Sequence, residues 1–122
     1  MPGKDQHLTQ ISRLESFLKQ LDSPEQPYKE WVVIVWFHIA IHYVDAFLAA
    51  DRDWKQIDGH SDRTAKMGSC PATRAIIEDY HRLYKEAKQA RYECTEFTKY
   101  DLDAVRPLYE SVRNAMRRAL GG

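Results

Sequence analysis

The chain has little of what metal, redox and covalent chemistry usually draw on. Two cysteines, Cys70 and Cys94, stand far apart among 122 residues and form no Cys-x-x-Cys, so nothing points to a zinc site or a disulfide scaffold. Eighteen basic and eighteen acidic side chains give a formal net charge of zero, and no global field draws the molecule to nucleic acid or membrane. With five glycines there is no glycine-rich phosphate loop, and no Ser-His-Asp set or pair of catalytic carboxylates stands out. The first residues, "MPGKDQHLTQ", carry no apolar signal core. No segment alternates polar and apolar residues with period two, so no strand is expected.

What is present is helical. Hydrophobic residues make up 43% and charged residues 30%, an ordinary globular composition in a chain long enough for one core, so residues 1–122 read as a single domain. The run Trp31–Ala50 is about as long as a membrane span. His38, His42 and Asp45 interrupt it, and no second run of that length exists. The expectation is a soluble, cytoplasmic protein with no membrane partner. Residues 1–60 carry three more acidic than basic groups and residues 61–122 the reverse, a gradient that permits a local basic surface.

Residues 6–21 place Leu8, Ile11, Leu14, Phe17, Leu18 and Leu21 on one helical stripe. "DSPEQP" breaks it with two prolines. A second helix, from about Tyr28 to Asp51, is apolar nearly all round, which requires cover from a second protomer or from a capping helix. A short helix opened by Ser61 and closed by Gly68 follows, then a longer one from Pro71 to about Tyr92 with Ile76, Tyr80, Leu83, Ala87 and Ala90 on its seam. The last helix has Thr98 and Asp101 as a capping box and a stripe of Val105, Tyr109, Val112, Met116 and Leu120. Pro107 predicts a kink near residues 103–107. The sum is an all-α, up-and-down four-helix bundle with one short additional helix.

In order, "WFHIAIHYVDAFLA", "GHSDR", "LYKEAKQARY" and "EFTKYDLDAV" resemble the HEPN domain (higher eukaryotes and prokaryotes nucleotide-binding) over roughly residues 28–120. The resemblance implies a helical bundle, usually a homodimer. Many members are metal-independent ribonucleases with an Arg-x4-6-His motif, some of them toxins neutralised by a nucleotidyltransferase-type antitoxin. Others are inactive and serve as RNA-binding or interaction modules. Two departures favour the inactive kind: Ala87 stands where many members carry Arg, and Ala75, not a polar residue, follows Arg74.

The candidate residues divide by chemistry. His38, His42 and Asp45, spaced by four and three, lie near one helical face and suit either metal ligation or a structural polar core or interface. A di-metal bundle needs paired Glu-x-x-His segments, and there is no such pair. The expectation is therefore a structural role, no metal and no cofactor. Arg74 and His81 form an Arg-x6-His match, with His as proton-transfer group and Arg as stabiliser of a phosphorane-like transition state. The same two residues also fit a solvated stripe in which Glu78 pairs with Arg74. His60 and Arg63 bracket a helix start that could hold a phosphate; structurally, Ser61 is the cap, His60 packs against the long helix and Arg63 pairs with an acid. Arg106, Arg113, Arg117 and Arg118 suit either a nucleic-acid backbone or the dipole of a helix C-terminus. Three functions follow: an RNA-associated module without strong catalysis, of defence or toxin–antitoxin type; a ribonuclease using Arg74 and His81; or a bundle that only binds protein.

Overall fold

The computed structural model describes residues 2–21, 25, 27–54, 56–93 and 96–121. Those residues form six helices and no strand: α1 (Lys4–Gln20), α2 (Lys29–Arg52), α3 (His60–Gly68), α4 (Pro71–Arg74), α5 (Ile77–Tyr92) and α6 (Lys99–Ala119). Most of the "DSPEQP" break, Cys94 and Gly122 lie outside the described residues.

Helix α2 is the axis of an all-α fold. Fifteen of its 24 residues are buried, and α1, α5 and α6 pack along it while α3 caps its C-terminal half. Of the two kinds of cover its sequence calls for, the short α3 supplies one within the chain. Helix α2 is long and apolar enough to cross a membrane, yet most of its apolar stretch is enclosed by neighbouring helices. His7 lies beside His42 and Lys4 near Asp51, so α1 runs against α2. Tyr109 stacks on Trp36 and Leu120 lies near Phe47, so α6 runs with it. Ser111 donates to the Asp79 carboxylate at 2.6 Å, joining α6 to α5. A single apolar cluster reaches from Ile11 to Met116.

The helix ends follow local chemistry. At α6 the Asp101 N–H donates to Thr98 Oγ1 at 3.2 Å and the Thr98 N–H to the Asp101 carboxylate at 2.8 Å, a reciprocal capping box. Pro107 sits inside an α6 that continues as one 21-residue helix. Two expectations need correction. The residue before α3 is Gly59, not Ser61, with φ 91°, a left-handed conformation glycine takes without strain. The helix expected from Pro71 to Tyr92 is interrupted at Ala75–Ile76, where Ile76 has φ −115° and ψ 10°. Thr73, fully buried, donates to the Met67 carbonyl at 2.7 Å, tying α4 to the end of α3 before α5 begins.

Candidate functional site

Five histidines, one carboxylate and one arginine decide the interior chemistry. Asp45 projects from α2 into the core, and Arg63 reaches it from α3. Nε donates to one carboxylate oxygen at 2.7 Å and Nη2 to the other at 3.0 Å. Their side chains keep only 12% (Arg63) and 7% (Asp45) exposure. Such a two-bond fork is the geometry in which a buried pair offsets its desolvation. Burial opposes the Arg63 charge, but the bonds to Asp45 outweigh it and raise its pKa. Asp45 thus serves an ion pair, and among the described residues no group of three His, Cys, Asp or Glu could hold a metal ion.

His42, one turn before Asp45, meets His7 of α1, with the two Nδ1 atoms 3.0 Å apart. Sequence reasoning passed over His7. The signal was there: His7, Ile11, Leu14 and Leu18 recur by four and three on one stripe of α1. Burial lowers the pKa of both rings; for His7 Asp45 opposes this and Arg63 adds to it, while for His42 the nearby His7 is the second cause. His38, a turn earlier, is half-buried, and burial followed by Arg91 lowers its pKa.

A second layer sits between α3 and α5. The His60 ring stacks on Tyr84 with centroids 3.7 Å apart and planes 10° from parallel, and His81 meets it edge-on at 5.5 Å. Among the described residues the buried His60 Nδ1 and Tyr80 hydroxyl meet no hydrogen-bond partner. Tyr80 lies close to Arg63, but its burial dominates and pushes its pKa up to about 12.

The expected pairs resolve differently from their spacing. Arg74 is exposed at the end of α4, and the break at Ala75–Ile76 removes the continuous helix that would put it on one face with His81. Glu78 pairs with Arg82 at 3.0 Å rather than with Arg74. Glu78 and His81 form the one Glu-x-x-His of the chain. Of the two readings of His60 and Arg63, the geometry has Arg63 paired with an acid, Asp45, and His60 held in the aromatic stack with Tyr84.

Helix α6 is different. Its arginines face outward, and two lie over aromatic rings. Arg106 stands 5.2 Å from the Trp36 ring centroid and Arg113 5.6 Å from that of Tyr109. The two rings are themselves stacked, 5.5 Å apart and 12° from parallel. Together with Glu15, Leu18, Lys19 and Glu110 they line a groove of about 180 Å³ between α1, α2 and α6. Arg117 and Arg118 continue the exposed row; neither has an ion pair among the described residues.

Fold and site define an all-α bundle with a buried Asp45–Arg63 ion pair and an arginine-bearing outer groove. No family model, curated protein or solved structure matches this chain.

Proposed function

We propose that this protein is an RNA-associated helical module without strong catalytic activity, and that α6 carries the contact. The observation that supports this most is the pair of guanidiniums seated on Trp36 and Tyr109. Stacking on a ring limits the motion of an arginine while leaving N–H groups for a phosphate; Arg113 gives its Nε to the Asn114 side-chain oxygen at 3.2 Å and keeps its terminal nitrogens. Arg106, Arg113 and Arg117 recur by seven and four, so they form one row about 16 Å long at 1.5 Å per residue. Lys19 adds a cation across the groove, while Glu15 and Glu110 on the same lining keep the surface from being uniformly basic. The resemblance to the inactive HEPN kind, with Ala75 and Ala87 at its two departures, agrees with this reading. The commitment of Arg63 to Asp45 and the break between Arg74 and His81 count against the ribonuclease alternative.

Fluorescence anisotropy with a labelled single-stranded RNA tests it. Binding should weaken with salt, by about 0.7 in log K per log salt for each phosphate contacted. Arg106→Ala, Arg113→Ala and Arg117→Ala should each lower both affinity and slope. Binding that is absent at low salt, or unchanged in the triple variant, would sink the proposal.

One observation favours the interaction-only reading. Among the described residues, the large hydrophobics left exposed, Phe17, Tyr28, Trp31, Tyr92 and Tyr100, lie toward the ends of α1 and α5 and the starts of α2 and α6. The helix directions gather these at one end of the bundle, a surface that suits a second copy of the chain or an antitoxin-type partner. Sedimentation giving only a 14.3 kDa species at micromolar concentration would remove the homodimer.

A further inference from the structure

Helix α1 packs chiefly on α2. Of its 17 residues His7 and Ile11 are buried, and Leu8, Leu14 and Leu18 are partly buried against the core. The polar member of this seam is His7, whose Nδ1 lies 3.0 Å from His42 Nδ1. Two ring nitrogens at that distance bond only while one proton lies between them, one N–H donating and one lone pair accepting. A first added proton is tolerated, because it goes to an outer Nε2 and leaves the shared proton in place. A second must go to the accepting Nδ1. Both facing nitrogens are then donors, the bond is lost and two cations are pressed together.

The surroundings relieve that repulsion only in part. The charged groups acting on the pair are Asp45 of α2, which favours protonation, and Arg63 of α3, which opposes it; His38 of α2 also opposes it at His42. Asp45 is not a free counter-ion, since Arg63 occupies both its oxygens. We propose that the His7–His42 pair is an acid-operated latch that docks α1 on α2 and releases it when the second proton arrives. Burial lowers the pKa of both imidazoles, so release belongs below pH 6.5. Because α1 supplies Glu15, Leu18 and Lys19 to the α6 groove, release also removes one wall of it. That consequence rests on the proposed function; the latch does not.

Hydrogen exchange of the full chain at pH 7.5 and 5.0, corrected for intrinsic rates, tests the latch directly. Amides of residues 4–20 should lose at least about tenfold protection at pH 5.0 relative to those of α5 and α6, the factor that one pKa unit supplies. The double variant His7→Gln, His42→Gln offers donors and acceptors that do not titrate, and α1 should stay protected at both pH values. Wild-type α1 that stays protected at pH 5.0, or a variant that loses as much as wild type, overturns the proposal. Should the variant not fold, imidazole ¹⁵N shifts of the wild type decide. The two rings should protonate in separate steps, the second coinciding with loss of α1 protection; independent titration without that loss overturns the latch equally.

Discussion

A carboxylate inside an apolar helix costs several kcal/mol unless a partner comes with it. For Asp45 the partner is Arg63, eighteen residues on. Asp45→Asn removes the charge but leaves a buried guanidinium unpaired, so it should cost about 3–5 kcal/mol in urea unfolding. Arg63→Met should cost a similar amount from the other side. The double change Asp45→Leu, Arg63→Met should recover most of either loss, because an apolar pair of similar volume carries no desolvation penalty. A double variant that is as unstable as the singles would show that the pair does more than satisfy itself. The spacing of His38, His42 and Asp45 was visible in the sequence. What each side chain met was not, since His7 and Arg63 come from helices whose approach no local pattern encodes.

Among the elements, α6 was the most legible. Its capping box and its stripe of Val105, Tyr109, Val112 and Met116 follow from spacing. Thr98→Ala should therefore lose about 1 kcal/mol, and Thr98→Ser much less, since the hydroxyl accepts the Asp101 N–H. Equal losses in thermal unfolding would locate the effect in the methyl group instead. The segment from Pro71 to Tyr92 was legible only in part. Of its seam, Ile76, Tyr80, Leu83 and Ala87 are buried and Ala90 is partly so, but periodicity carries straight through Ala75–Ile76 where the backbone does not. Thr73 turning back to the Met67 carbonyl is a tertiary event, and it decides how Arg74 stands to His81.

Over the whole molecule the histidines act together. His7, His38, His42 and His60 all have folded pKa values lowered chiefly by burial. Below about 6.5 the unfolded chain therefore binds more protons than the folded one. Stability should be fully present above that pH, fall as pH drops through it, and level off once the folded groups are also charged. Tyr80 and Tyr109, pushed up to about 12 by burial, act at the other limit. Their contribution is complete below the unfolded value of about 10 and is lost as pH rises from there toward 12. Urea midpoints measured from pH 5 to 11 should form a plateau falling at both ends. A midpoint that rises on acidification from 7.5 to 5.5 would contradict the burial of these histidines.

The sequence by itself determined the class of fold, since a period near 3.6 with no period-two stretch leaves only helices, and it determined α2 as the centre, since only a helix covered on several sides tolerates apolar residues all round. Tertiary structure alone decided what the polar residues do. Asp45 became half of an ion pair rather than a ligand, His42 found His7, Arg63 was withdrawn from solvent, and the α6 arginines came to lie over Trp36 and Tyr109. The physical reason is range. Helix formation and amphipathic burial depend on neighbours three and four residues away, whereas a hydrogen bond or ring contact between helices depends on angstrom-level placement that no spacing in one helix specifies.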